Sequence, residues 1–303
     1  MKIGVSAFAW TADFRESHLE ILPRLRDHGL TAFEVPMFEP EKLPAAKIRR
    51  VMEDNGLTCS VCAILPQGIN PISSDARVRK KSVAHLMNCV EVATEMDAKL
   101  IGGPLYAPIG YFSGRRRSKE EWDWAIDAFQ QLSSTLDTNK LDLSIEPVNR
   151  SETYFLTKAQ DAKALCDAVD HPRIGVTIDT FHANIEEKII SDAISVAGRR
   201  LKHLHVSEND RGLLGSGHVD FEALIEALRK IRYSGCLMIE GFGYSPKEAA
   251  APGTIWADVE VSPEDIAFDG VRYLQSLLMP QALAGTIREQ PGEETIPFDP
   301  KRS

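Results

Sequence analysis

Apolar and polar residues follow two different periods along this chain, and the periods take turns. Short runs with the two-residue alternation of a strand cover 2–9, 31–36, 57–65, 98–102, 141–146, 174–179, 201–206 and 236–240. Stretches with helical spacing fill the gaps, at 17–28, 41–55, 75–96, 118–138, 157–169, 186–197, 220–231 and 262–278. Gly29 and Gly56 follow the first two helical stretches, where a helix C-terminus favours glycine. Asp75 is placed to cap the third, and Ser118-Lys119-Glu120-Glu121 forms a capping box at the start of the fourth.

Eight strands alternating with eight helices, with no shift in composition between them, predict a single (β/α)8 TIM barrel, class α/β, over residues 1–280. A doubly wound open sheet is the alternative. It would need a glycine-rich turn after the first strand, and Gly4-Val5-Ser6-Ala7 does not supply one. Residues 281–303, rich in Pro, Glu and Gly, fall outside the pattern and read as an extended tail.

In such a barrel the chemistry sits where strands finish, and the last four strands finish alike. In Leu141-Asp142-Leu143-Ser144-Ile145-Glu146 the aliphatic positions face the helices, so Asp142, Ser144 and Glu146 face the interior. Val176 and Ile178 turn Asp179 inward by the same parity, and Leu237 and Ile239 turn Glu240 inward. In Leu201-Lys202-His203-Leu204-His205-Val206 the residues Leu201, His203 and His205 share one face, with His205 at the mouth and His203 one layer deeper. His203 is either a support for the site or a core residue. Three carboxylates and one imidazole cannot share that space as bare charges. A divalent cation held by Glu146, Asp179, His205 and Glu240 resolves the conflict, and an oxygen-rich set without thiolate suits Mn2+, Mg2+ or Co2+ better than structural zinc.

Composition narrows the picture. The chain has 303 residues, a formal net charge of −9 and five cysteines, an odd number set mostly in apolar runs. The negative balance gives no bulk attraction to nucleic acid. No apolar run reaches the roughly 18 residues of a membrane helix, and Met1-Lys2-Ile3-Gly4-Val5 enters a strand without a signal-peptide pattern. A reduced, cytoplasmic setting is expected.

Ile145-Glu146-Pro147-Val148-Asn149-Arg150, the run 178–187, His203-Leu204-His205 with Glu208, Asn209 and Arg211, and Glu240-Gly241-Phe242 resemble the ketose 3-epimerases, the D-tagatose and D-psicose 3-epimerase group of the xylose-isomerase-like barrels. The resemblance covers about residues 1 to 280, and its most specific piece is the run from Asp179 to Glu187. It implies one divalent metal, usually Mn2+, on Glu146, Asp179, His205 and Glu240. It also implies substrate contacts at Glu152, His182 and Arg211, a free ketose as substrate (D-tagatose, D-psicose/D-fructose or L-ribulose type) and a homodimer or homotetramer.

Epimerisation at C3 removes a proton beside the C2 carbonyl and returns one to the other face. Glu146 and Glu240, on strands five and eight across the mouth, are the expected proton-transfer pair. Glu152 and His182 would hold O1 and O2, and Arg211 would position the sugar. The first strand, Ser6-Ala7-Phe8-Ala9-Trp10, departs from the tyrosine-rich version common in that group, so Phe8 and Trp10 are candidates for an apolar wall. The loop from Tyr106 to Tyr111 is a candidate cover. Arg115-Arg116-Arg117 is either a solvated helix start or a grip on an anionic substrate. Cys59-Ser60-Val61-Cys62 has the spacing of a redox pair but lies inside a strand and reads as core. An isomerase or lyase of the inositol or hydroxypyruvate type, acting on another keto-polyol or a charged substrate, is the alternative on the same fold. A multi-zinc DNA-repair endonuclease would need ligands that strands three and four do not offer, and a non-catalytic sugar binder would not need the glutamate pair.

Overall fold

Strands buried on both faces must lie between helices, and a parallel sheet closed on itself meets that need for all of them. In the computed structural model, which describes residues 1–243 and 261–279, eight strands close into a barrel in chain order. They are β1 (Lys2–Ser6), β2 (Ala32–Met37), β3 (Thr58–Ala63), β4 (Leu100–Gly103), β5 (Asp142–Ile145), β6 (Ile174–Asp179), β7 (Leu201–Val206) and β8 (Cys236–Ile239). The ring closes where β8 pairs with β1, Lys2 opposite Cys236 and Val5 opposite Ile239. Around it run α1 (Ile21–Asp27), α2 (Ala45–Asp54), α3 (Ala76–Glu95), α4 (Lys119–Asn139), α5 (Ala159–Val169), α6 (Thr180–Glu186), α7 (Ile190–Ala197), α8 (Phe221–Lys230) and α9 (Pro263–Leu278).

The core is a shell between barrel and helices. Val35, Val61, Leu143, Val176 and Leu204 meet Leu22, Ile48, Leu86, Phe129, Leu165 and Leu228 in one buried cluster. Burial of each such side chain stabilises the fold by roughly 1.5–3 kcal/mol. Inside the barrel the side chains are small or polar. Thr177 Oγ1 donates to Ser144 Oγ at 2.6 Å, and Gly102 leaves room for both: a Cβ there would lie 2.7 Å from Ser144 Oγ. Ser118 and Glu121 form the expected capping box, and Asp75 caps α3 by accepting from Arg77 N–H.

Three local differences from the sequence reading have physical causes. The first strand stops at Ser6, whose Oγ accepts from Phe8 N–H and turns Ala7–Ala9 into a 3-10 helix. The first helix begins at Ile21 rather than Ser17, behind a 3-10 turn at Glu16–Glu20. Pro23 therefore sits in the first helical turn, where its missing N–H costs no internal bond. The expected helix 186–197 is two helices, because Asp179 caps a short α6 and the chain leaves it at Glu187.

The strand-seven parity also needs correcting at its start. Thr177 pairs with His203 while Val176 pairs with Leu201, so Lys202 is an extra residue in the ladder. Leu201 therefore packs with Leu204 and Val206 in the outer cluster, not on the histidine face. Lys202 instead reaches Asp142 at 2.8 Å. The tail at 281–303 lies outside the described residues.

At the end of β4, Gly103 has φ +125°, and a Cβ there would collide with the carbonyl oxygen of Ala63. Gly103→Ala is expected to lower stability by on the order of 3 kcal/mol, read as a lowered urea midpoint with an unchanged slope.

Candidate active site

Strand parity delivers four donor groups to one end of the barrel. Glu146 follows β5, Asp179 ends β6, His205 sits near the end of β7 and Glu240 follows β8. Each is at most 6% exposed, and one ligand atom from each lies within 4.8 Å of the others. His205 Nδ1 is 3.1 Å from Glu146 Oε1 and 3.3 Å from Glu240 Oε2. The alternation that the sequence shows at four strand ends is thus realised as a single cluster.

Asp179 divides its carboxylate between two tasks. Oδ1 accepts from Phe181 N–H at 2.9 Å and caps α6, which fixes the side chain. Oδ2 is buried without a hydrogen-bond donor. Arg211 Nη1 lies 2.8 Å from it, but that nitrogen already donates to Ser207 Oγ at 2.7 Å and to Glu240 Oε2 at 2.8 Å. Its two hydrogens are committed. An unsatisfied buried carboxylate oxygen facing two more carboxylates and an imidazole nitrogen is a donor set suited to a hard or borderline divalent cation. Glu146, Asp179, His205 and Glu240 are therefore the residues that could hold one.

Arg211 is held with unusual firmness. It has φ +64°, and its guanidinium lies 4.2 Å from the Phe181 ring centroid and 5.4 Å from that of Phe242, a favourable cation–aromatic arrangement. The loop that carries it is organised by the buried Glu208 carboxylate, which accepts from the N–H groups of Asn209, Gly215 and Val219.

A recess of about 340 Å³ opens beside the cluster. Its polar wall is Glu146, Glu152, His182, Arg211 and Glu240, and its apolar wall includes Phe8, Cys62, Ile64, Ile109 and Phe242. All three sequence-predicted contact residues, Glu152, His182 and Arg211, thus line the same space as Glu146 and Glu240. Asn149 orders two of them. Its side-chain N–H donates to Glu152 Oε1 at 2.8 Å, and its backbone N–H donates to His182 Nδ1 at 3.3 Å. That leaves the proton of a neutral His182 on Nε2, the nitrogen 3.6 Å from Asp179 Oδ2.

The looser sequence candidates separate cleanly. Phe8 lines the recess and packs against Phe38 and Phe242, whereas Trp10 packs on the main core. The 106–111 loop contributes Ile109 to the recess. Its two tyrosines turn elsewhere: Tyr106 donates to Leu156 C=O, and Tyr111 packs on Tyr154. The arginine triplet is mostly consumed by structure. Arg115 pairs with Glu121, while Arg117 donates to Phe155 C=O and Asp161. Cys59 packs in the outer core and Cys62 lines the recess, and the five cysteines are all free.

Glu34 and Asn149 fall outside the sequence-predicted set. Glu34 is fully buried and touches both His203 and His205. The signal was present: Phe33 and Val35 face the outer core, so Glu34 must face in by the parity rule used for strands five to eight.

The family description "Xylose isomerase-like TIM barrel" matches residues 22–277. The chain belongs to the xylose isomerase-like TIM barrel family. This xylose isomerase-like barrel is similar to a probable ketose 3-epimerase of Synechocystis sp., at 29% identity over 91% of this chain and 96% of the relative. It is similar to the D-psicose 3-epimerase of Ruminiclostridium cellulolyticum, at 27% identity over 89% of this chain and 93% of the relative. A solved L-ribulose 3-epimerase structure superposes on it with a TM-score of 0.86, at 26% identity over 96% of this chain and all of that one (100%). Among the described residues no helix is long and apolar enough to cross a membrane.

Protonation of the cluster follows from burial. Desolvation pushes the Glu240 carboxyl up to about 7, against the pull of Arg211 and His205. The His205 imidazole moves well above its ordinary value: burial opposes its charge, and the carboxylates of Glu34, Glu240 and Glu146 outweigh burial. Near neutrality both groups of the metal-free protein hold protons that a ligated cation must displace. Divalent-cation affinity should therefore fall as pH drops through about 7, with protons released on binding. Calorimetric titrations in buffers of different ionisation enthalpy check this, and an affinity independent of pH with no proton release would contradict it.

Proposed function

We propose that this chain is a divalent-metal-dependent ketose 3-epimerase that inverts C3 of a free ketose. The reading is carried by one observation. Two buried glutamates, Glu146 and Glu240, flank the same nitrogen of His205 in a recess that also presents Glu152, His182 and Arg211. Inversion at a carbon beside a carbonyl needs a group to take a proton and another to deliver one. A lone carboxylate beside a cation would not meet that need. The named activities of the similar proteins point the same way.

A divalent cation held by Glu146, Asp179, His205 and Glu240 would supply Lewis-acid stabilisation of the negative charge that develops on the sugar oxygens. The oxygen-rich donor set favours Mn2+, with Mg2+ or Co2+ as substitutes. The chain's own residues do the rest. Glu146 and Glu240 move the proton at C3, their roles exchanging with the direction of reaction. Glu152 and His182 hold O1 and O2 of the ketose, the Nε2–H of His182 serving as donor. Arg211 spans Asp179 and Glu240 and holds the sugar against the pair. Phe8, Ile109 and Phe242 exclude water from the far side of the recess, which strengthens every charge interaction within it. The free thiols suit a reducing, cytoplasmic setting. A homodimer or homotetramer belongs to the same proposal and is read by light scattering.

With Mn2+ and a panel of free ketoses in D2O, NMR should show deuterium entering C3 together with the epimer. Glu240→Gln should slow both by about 100-fold or more, the usual range for losing a positioned proton-transfer group. Exchange at C1 alone would assign an aldose–ketose isomerase instead, and sugar binding without exchange at any carbon would assign a non-catalytic sugar binder.

Glu152→Gln should lower kcat/KM roughly 10- to 100-fold, the scale of one hydrogen bond to a charged group. Its Mn2+ affinity should stay within about twofold of wild type, because Glu152 touches substrate and not the cation. Steady-state kinetics and cation titration on the same preparation separate the two effects.

A further inference from the structure

Glu34 lies in the barrel interior, midway along β2, and is fully buried. Its Oε1 accepts from His205 Nε2 at 2.9 Å. Its Oε2 accepts from His203 Nε2 at 2.8 Å and from Ser60 Oγ at 3.3 Å. The two imidazoles stand edge to face, centroids 5.0 Å apart and planes at 84°, so one carboxylate meets the same nitrogen of each ring. An ionised carboxylate can only accept hydrogen bonds. A ring nitrogen facing it must carry a proton, and in a neutral imidazole the other nitrogen must then be bare.

We propose that Glu34 is a positioning residue that fixes the tautomer and ring orientation of His205, so that the lone pair of Nδ1 points at the Glu146–Asp179–Glu240 cluster. The inference rests on the reading of that cluster as a divalent-cation site. His203 has a matching part: by occupying Oε2 it holds the carboxylate in plane while Oε1 serves His205. A glutamine would not remove that role, because its amide oxygen can still accept from His205 Nε2 while its NH2 turns to His203. An apolar side chain in place of Glu34 offers neither Nε2 an acceptor. The proton of His205 is then no longer drawn to Nε2, and the Nδ1–H tautomer would aim an N–H at the place of the cation.

The test uses the full chain and Mn2+ itself. Free Mn2+ is followed by electron paramagnetic resonance during titration of wild type, Glu34→Leu and Ser60→Ala. Glu34→Leu should bind about 10- to 100-fold more weakly, the range expected when the partner of a metal-bound histidine is removed. Ser60→Ala should bind as wild type, since Oε2 keeps its bond to His203. Wild-type affinity in Glu34→Leu would overturn the proposal. A wild type that binds no Mn2+ would instead overturn the cation-site reading beneath it. Nitrogen-15 NMR of histidine-labelled wild type loaded with diamagnetic Mg2+ gives a readout independent of how well the variant folds. The His205 signals should show a protonated Nε2 and a proton-free Nδ1, and the reverse pattern would overturn the proposal.

Discussion

The barrel of this protein is organised by the need to compensate charge out of reach of water. Glu34, Glu146, Asp179 and Glu240 are all buried, and the basic side chains buried among them are His203, His205 and Arg211. An isolated carboxylate in such a place would be protonated or would unfold the chain. Here burial raises Glu240, while at Asp179 and Glu34 the neighbouring basic groups overcome burial and hold both carboxyls below their ordinary values. The result is a cluster with carboxylate capacity left over at Asp179 Oδ2. A bound cation is the natural complement to that excess.

The compensating groups are shared rather than paired one to one. Arg211 Nη1 touches Asp179, Glu240 and Ser207. His205 uses one nitrogen for Glu34 and turns the other to Glu146 and Glu240. Asp179 caps a helix with one oxygen and serves the cluster with the other. Sharing of this kind makes the site rigid, because moving one side chain breaks contacts to several others. Rigidity at this level suits a reaction in which a proton leaves one face of a carbon and returns to the other.

Outside the site, charged groups behave as ordinary surface chemistry. Arg115 pairs with Glu121 at the start of α4, and Arg117 ties that start to Phe155 C=O in the loop after β5 and to Asp161 in α5. Arg117 also covers the Trp122 ring, 4.7 Å from its centroid. Lys202 and Arg173 both converge on Asp142. Of these, the triplet was open to an anion-binding reading on spacing alone, and the commitment of Arg115 to the buried Glu121 and of Arg117 to Phe155 C=O and Asp161 weighs against it.

The sequence by itself determined the barrel and the four strand-end groups that cluster at its mouth, because both follow from a local rule. Side chains alternate along a strand, and at each of strands five to eight the aliphatic positions turn a polar residue at the strand end the other way. Asp75 and the Ser118–Glu121 box were legible for the same reason, since a cap involves neighbours within a turn. What only the tertiary structure decided depends on contacts between segments far apart in the chain. Glu34 meets His203 and His205 across 169 and 171 residues of separation, and Asn149 reaches His182 across 33. The slip at Lys202 belongs to the pairing of β6 with β7. The division of the 180–197 region into two helices follows from Asp179 serving as a cap as well as a site residue. Which nitrogen of His205 faces the cluster is decided by an acceptor on another strand, and no pattern within 201–206 carries that information.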